Sequence, residues 1–161
     1  MHARTCQSII FVCSLAIIAA WSCLVSAAPQ ITNVTIRGLQ IGGTTVVAIQ
    51  GRDLLPNPQL IASIPIAKQV VLDGANDGSV QIAVTLGDDV TPGIYNLRLA
   101  NPKGITALFL AAVDKLPQVP FADGATSKPI ALHGSLASSN IATTNFTGAK
   151  DEQLLIEVEA Q

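Results

Sequence analysis

Apolar and polar residues alternate along most of the chain between residues 31 and 113. From residue 93 to 101, Tyr95, Leu97 and Leu99 alternate with polar or charged neighbours. A strand with one buried face has this two-residue period. The pattern therefore predicts β-strands, and no helical periodicity competes with it. The most regular alternation places four apolar residues at every second position: Val80, Ile82, Val84 and Leu86.

Glycine, proline and aspartate interrupt these runs about every 10 to 15 residues, as in all-β domains. Such residues supply the positive or fixed φ angles that tight turns need. Alternation and turns together predict an all-β, Greek-key-like sandwich of about seven strands. The predicted turns lie at Gly42-Gly43, residues 51–53, Asp73-Gly74, Asp77-Gly78 and Pro92-Gly93.

The first residues of the chain include Arg4 and precede an apolar run, residues 9–25, that no charge interrupts. A basic start, an apolar stretch and small residues at a cleavage site are typical of a secretory signal peptide. The small residues 25–27 predict cleavage after Ala27. Residues 1–27 are therefore the predicted leader, and we expect the mature chain to be secreted, periplasmic or at the cell surface.

Two alternatives to a cleaved leader stay open. The apolar run is almost as long as the roughly 20 residues needed to span a bilayer, so it could remain as an N-terminal anchor. Lipidation of Cys23 is the other alternative, although the residues before it match a lipobox poorly. A membrane contact is expected only through this segment.

Cysteine content and charge exclude several kinds of function. The three cysteines all lie in the predicted leader, so the mature chain has no disulfide, thiolate metal site or cysteine nucleophile. Loss of Arg4 with the leader changes the formal net charge from −2 to −3. Basic residues are not clustered, which makes nucleic acid an unsuitable partner.

The first part of the mature chain resembles the IPT/TIG type of immunoglobulin-like domain. In that family a Gly-Thr-x-Val strand is followed by Gly-x-x-Leu, which residues 43–46 and 51–54 match. The strand pair of residues 93–113 and its Asn101-Pro-Lys-Gly turn are the more diagnostic match. The resemblance covers roughly residues 30 to 113, and residues 28–115 are predicted to form one domain. It implies an immunoglobulin-like sandwich that serves as a non-catalytic spacer or binding module on an exported bacterial protein.

Residues 116–120, with two prolines, are a predicted linker. Residues 121–161 then resemble the first half of a bacterial pre-peptidase C-terminal domain. The match consists of a Pro-Ile-x-Leu-x-Gly strand at residues 129–134, a strand ending at Phe146, a glycine-containing turn and a strand at residues 154–160. The order of these two modules resembles that of large secreted bacterial proteins.

The second module departs from its family in two ways. Acidic residues of the family's polar loop, which can support calcium, are replaced by Asn140, Ala142 and Thr144. Because a hard cation needs several anionic oxygens, we predict no metal site there. The module also has only about 40 residues, near the size at which a lone core becomes insufficient. Either the chain is a piece of a longer protein, or this partial module pairs with a partner or packs on the first domain.

The side chains of His133 and Tyr95 each allow a functional and a structural interpretation. His133-Gly-Ser135 could belong to a hydrolytic site, but no nucleophile elbow surrounds Ser135. We interpret His133 as a strand residue with a solvent-facing ring. Tyr95 could stack on a sugar, but its phase with Leu97 favours a core or corner position.

Acidic residues allow two further hypotheses. Asp88-Asp89 could serve acid–base chemistry, but adjacent acids before a Pro-Gly turn are typical of a solvated loop. A calcium site between sandwich loops could gather Asp73, Asp77, Asp88 and Asp89, although their spacing is not that of a calcium-binding loop. We therefore predict no catalytic, cofactor-binding or metal residues and no cofactor.

The sequence thus predicts a secreted, non-catalytic immunoglobulin-like module joined to an incomplete second β module. Its expected role is spacing, cell-surface attachment or recognition of a protein or glycan, through loops or a sheet edge. The alternative is an accessory region of an exported hydrolase or peptidase whose catalytic domain lies outside this chain.

Overall fold

The computed structural model describes residues 27–121, 125–136 and 140–158, in which every regular element is a β-strand. Nearly all of the predicted leader lies outside these ranges, so the leader stays a prediction. The strands are β1 (Gln30–Val34), β2 (Gly38–Gln40), β3 (Thr44–Arg52), β4 (Gln59–Ala62), β5 (Lys68–Val71), β6 (Ser79–Thr85), β7 (Gly93–Asn101), β8 (Gly104–Ile105), β9 (Phe109–Asp114), β10 (Gln118–Pro120), β11 (Ala125–Thr126), β12 (Ala131–His133) and β13 (Asn145–Phe146).

The first nine strands form two sheets. One sheet has the order β1-β3-β6-β5, and the other has the order β2-β9-β7-β4 with the short β8 also paired to β7. All pairs are antiparallel except β2 with β9. In chain order these are the A-B-E-D and C-F-G sheets of an immunoglobulin domain, with β2 as an extra strand beside G. The predicted immunoglobulin-like Greek-key sandwich is confirmed.

The core lies between the two sheets, where the alternating apolar residues meet. Val47 pairs with Ile82 across β3 and β6, and Leu60 pairs with Leu99 across β4 and β7. Each of these four side chains is at most 2% exposed. Burying one such side chain contributes about 1.5–3 kcal/mol. The whole core cluster lies between Val34 and Val113.

Tyr95 forms a tyrosine corner near the start of β7. Its hydroxyl donates a hydrogen bond to the carbonyl of Thr91, at 2.9 Å. In immunoglobulin-like domains a tyrosine at the start of strand F makes this kind of bond to the backbone upstream. The half-buried ring also packs against the core. The core or corner interpretation of Tyr95 is confirmed, and the ring is not a free platform for a sugar.

The C-terminal part forms two small parallel pairs, β10 with β12 and β11 with β13. The predicted linker at residues 116–120 therefore contains a strand, because backbone groups at or beside its prolines still form hydrogen bonds to β12 and its neighbours. Ala131 donates to the carbonyl of Pro117, at 3.0 Å, and Phe121 donates to that of His133, at 2.6 Å. The division into residues 28–115, 116–120 and 121–161 stays a prediction.

The strand predicted at residues 154–160 is absent over its described part, residues 154–158. Leu155 is 83% exposed and Val158 is 87% exposed. A strand needs a neighbour to satisfy its backbone groups, and no described strand pairs with this segment. An apolar pattern without an adjacent sheet edge was therefore insufficient to make a strand here.

Candidate functional site

The outer face of the five-stranded sheet exposes four large aliphatic side chains, which we call the apolar face. They are Ile61 on β4, Ile94 on β7, Ile105 on β8 and Leu110 on β9. Their exposed fractions are 47%, 47%, 53% and 37%, respectively. The strands place them there because inward residues such as Leu97 alternate with outward ones. An aliphatic surface spread over four strands is suited to contact with another macromolecule.

The outer face of the four-stranded sheet differs in composition. Thr44 and Thr85 lie opposite each other there, and their hydroxyl oxygens are hydrogen-bonded at 2.8 Å. Gln50 and Gln81 are exposed on the same side. Val46, 40% exposed, and Val70, 44% exposed, lie in one row on either side of Ala83. The outer face of the four-stranded sheet thus exposes two large aliphatic side chains, against four on the outer face of the five-stranded sheet.

Arg98 brings a positive charge to the apolar face. The β4–β7 register places it directly opposite Ile61, and its side chain is exposed. Within the described part of the chain, Arg98 takes part in no ion pair. A partner that covers this face would therefore gain from an acidic group opposite Arg98.

A groove of about 380 Å³ adjoins the apolar face and shares Leu110 with it. A one-residue shift in register shapes its wall, since Leu97 pairs with Phe109 but Ala100 pairs with Ile105. This bulge was not predicted from the sequence, where its only signal is the break in apolar alternation before Phe109. The lining residues are Ile31, Thr32, Val34, Arg37, Ala107, Leu108, Phe109 and Leu110.

The bulge depends on a buried threonine. Thr106 is 3% exposed, and its hydroxyl accepts a hydrogen bond from the N–H of Leu99 at 3.0 Å. Its own N–H donates to the carbonyl of Leu99 at 2.9 Å. The hydroxyl therefore replaces a backbone acceptor that the shifted register removes, and the buried polar groups stay satisfied.

The Asn101-Pro-Lys-Gly turn holds together one end of the sandwich. The amide nitrogen of Asn101 donates to the carbonyl of Asp53 at 2.7 Å, while its amide oxygen accepts from the N–H of Lys103 at 2.9 Å. Lys103 Nζ lies 3.0 Å from the carboxylate of Asp53 and 3.8 Å from that of Asp77. These residues connect three loops, so the turn that carried the family resemblance has a structural role.

The four aspartates considered for calcium are not gathered into one site. Asp77 precedes β6 and Asp88 follows it, so the length of a seven-residue strand separates them. Seven residues of strand extend roughly 23 Å. Asp77 accepts a hydrogen bond from the N–H of Leu55 at 3.3 Å and lies near Lys103. Among residues 27–121, 125–136 and 140–158, no group of three or more metal-ligating side chains occurs.

His133 lies where the C-terminal part contacts the sandwich. Its Nε2 is 2.6 Å from the amide oxygen of Gln118 and therefore donates to it. The amide nitrogen of Gln118 donates to the carboxylate of Asp114 at 2.8 Å, which fixes the orientation of the amide. Both side chains pack over Gly38 of β2, where a Cβ atom would lie 2.0 Å from the Gln118 amide oxygen.

The environment of His133 favours a neutral ring. Burial lowers the pKa of His133 below its ordinary value, and the nearby Asp114 carboxylate partly opposes this shift. The prediction of a strand residue is confirmed for His133, but the prediction of a solvent-facing ring is wrong. The ring is half-buried because Gly38 leaves room for it on the edge strand. Its hydrogen-bond partner is the amide oxygen of Gln118.

Comparison with known proteins assigns no family to this chain. No protein-family model and no curated protein match this chain. Among solved structures, an immunoglobulin domain in a crystal structure of a mutant titin M10–obscurin-like 1 complex is similar to it. That match is 17% identical with a TM-score of 0.33, and covers 55% of this chain and 92% of that chain. The immunoglobulin-like fold is therefore assigned here on strand order and register.

Within the three ranges that the structure describes, no helix has the length and apolar composition required to cross a bilayer.

Proposed function

We propose that this chain is an exported, non-catalytic immunoglobulin-like module that acts as a spacer and binds a protein at the cell surface. The observation that supports this function most directly is the apolar face. Interface centres are depleted in charge and rich in well-packed apolar anchors, with arginine among the enriched residues. Ile61 and Arg98, paired across β4 and β7, supply both kinds of side chain.

A protein partner suits this surface better than a glycan. Sugar-binding surfaces use exposed aromatic rings and polar groups for stacking and hydrogen bonding, whereas the apolar face is aliphatic. Tyr95 is committed to its corner bond, and Phe109 is only 8% exposed. We expect the partner to present an aliphatic strip with an acidic residue opposite Arg98.

The test measures binding of the fluorescently labelled full chain to intact cells of the organism that produces it. We expect saturable binding that protease treatment of the cells removes and that glycosidase treatment leaves unchanged. The double variant I61E/I94E should bind at least about tenfold more weakly, because interface anchors contribute about 2 kcal/mol or more each.

V46E is the matched control, since Val46 is 40% exposed on the outer face of the other sheet. It should bind like the unchanged chain. Equal binding by I61E/I94E and the unchanged chain would contradict the role of the apolar face. Loss of binding after glycosidase treatment alone would replace the protein partner with a glycan.

A further inference from the structure

The C-terminal part contains a strand-like sequence that forms no strand. Residues 154–158, here called the tail segment, read Leu-Leu-Ile-Glu-Val and have every side chain exposed. Leu154 is the least exposed of the apolar ones, at 50%. Their composition is suited to a pleated, half-buried strand. The segment lacks only a neighbouring strand.

The edge of the four-stranded sheet at β5 offers what the tail segment lacks, which is a strand with backbone groups free to pair. The N–H of Leu72 donates to the carbonyl of Gln81 at 2.8 Å. Backbone bonding to β6 thus uses every second residue, and the N–H and C=O groups of Gln69 and Val71 point to the open edge. Val70 is 44% exposed and Val71 is 37% exposed. β5 is therefore an edge strand with both backbone and apolar groups available.

The neighbouring edge strand, β4, is protected from such pairing. The side-chain amide of Gln69 accepts from the N–H of Leu60 at 2.8 Å and donates to its carbonyl at 3.1 Å. It occupies the place that a backbone neighbour would take. The edge of β1 is backbone-accessible, but its residues Gln30–Val34 carry no charge that could complement an acidic strand.

We propose that the tail segment of one copy of this chain adds antiparallel to β5 of a second copy, with Ile156 opposite Gln69. In this register Glu157 lies opposite Lys68 and Leu155 lies opposite Val70 on the outer face. Leu154 meets Val71 on the inner face. The tail segment of the same chain has no strand partner in the structure, so this β5 edge is left for a second copy.

Charge and the alternation of side chains between faces restrict the register. A slip by one residue turns Glu157 to the inner face, because successive side chains alternate between faces. A slip by two in one direction places Glu157 opposite Ile66 and leaves Lys68 opposite Leu155. A slip by two in the other direction places Glu157 opposite Val70 and Glu159 opposite Lys68, and the cross-link described below distinguishes that register from the proposed one. Opposite charges that face each other across a strand pair stabilise it. Among the described residues, neither Lys68 nor Glu157 takes part in another ion pair.

A disulfide between copies tests the register directly, using the full chain carrying V70C and L155C. These positions form a non-hydrogen-bonded pair, in which Cα atoms lie about 4.5 Å apart, within the range that a disulfide bridges. We expect a cross-linked dimer on non-reducing electrophoresis, with peptide mass mapping that joins positions 70 and 155. The control V46C/L155C places a cysteine on the same sheet away from its edge and should not cross-link.

Two results would overturn the proposal. One is failure of V70C/L155C to cross-link more than the control. The other is a link within one chain, which would assign the tail segment to its own β5. Since β5 and the apolar face belong to different sheets, neither result bears on binding to cells.

A charge exchange provides the second test, with self-association measured by sedimentation equilibrium. K68E and E157K should each weaken association about threefold to tenfold, in line with the strength of single exposed ion pairs and cross-strand pairs. The double variant K68E/E157K should restore it, because the pair is re-formed with reversed charges. Circular dichroism verifies that the variants are folded. Equal association of all four proteins, or no recovery in the double variant, would contradict the register.

Discussion

The sandwich and the C-terminal part have similar alternation of apolar residues, but the alternating residues differ in burial and in whether they form a strand. In the sandwich, Leu97 and Leu99 of β7 are at most 1% exposed. In the C-terminal part, Leu155 and Ile156 are 83% and 66% exposed and form no strand. The first pair has a second sheet opposite it and strands on both sides. The comparison shows that an alternating pattern becomes a strand only when a sheet and a facing layer are available.

The largest expected effect separates these two parts. Replacing Leu99 with alanine should lower the free energy of unfolding by about 2–5 kcal/mol, because it leaves a cavity between the sheets. Leu155→Ala is the matched change in the C-terminal part and should alter it by less than about 0.5 kcal/mol. Urea denaturation followed by tyrosine fluorescence measures both, since Tyr95 lies in the sandwich.

A similar loss in the two leucine variants would mean that residue 155 is buried in solution. The comparison between the two parts would then fail. Self-association through the tail segment could produce such burial, so the denaturation is repeated at several protein concentrations. Dependence of the Leu155→Ala effect on concentration would assign that burial to a second copy.

The next effect lies at the end of the sandwich. Asn101→Ala should lower the free energy of unfolding by about 1–3 kcal/mol, because the partly buried carbonyl of Asp53 and the N–H of Lys103 lose their partners. Lys103→Gln removes only a partly exposed ion pair and should cost at most about 1 kcal/mol. The same denaturation measures both variants. A larger loss for Lys103→Gln than for Asn101→Ala would show that charge, rather than the amide, connects the loops.

The smallest effect concerns the pairing of β10 with β12 and depends on pH. Because burial lowers the pKa of His133, the unfolded segment takes up a proton at a higher pH than the folded one. Pairing of β10 with β12 should therefore be strongest above about pH 6.5 and weaken as the pH falls below it. Amide hydrogen exchange at Phe121, whose N–H donates to His133, measures the pairing.

His133→Asn is the control, since it removes the only histidine outside the predicted leader. Its exchange at Phe121, corrected for the intrinsic effect of pH, should not vary between pH 5 and 7.5. Exchange in the unchanged chain that, after the same correction, slows as the pH falls would contradict a lowered pKa.

Much of the sandwich was predictable because its signals are local. Val80, Ile82 and Val84 occupy every second position of one strand, so the sequence alone indicates that they share a face. All three are at most 1% exposed. The corner position of Tyr95 followed from the same phase. The bulge at Thr106 could not be predicted from the sequence. The hydroxyl of Thr106 replaces a backbone acceptor for β7, and this role exists only because the fold places β7 beside it.

The candidate site was less predictable than the fold. Each member of the apolar face belongs to a strand with ordinary alternation, and their proximity depends on the register of four strands. Likewise, Asp73, Asp77, Asp88 and Asp89 are near one another in sequence, but β6 separates them into two pairs. Sequence distance does not indicate which end of a sandwich a loop occupies.

By itself, the sequence determined the strand class, the inward set of residues and most of the turns, because these depend on local backbone preferences and a two-residue period. The tertiary structure alone decided which outer face is apolar, which loops Lys103 joins and where His133 packs. It also decided that residues 154–158 form no strand within this chain. These outcomes depend on contacts between distant residues, which a strand acquires only from its neighbours.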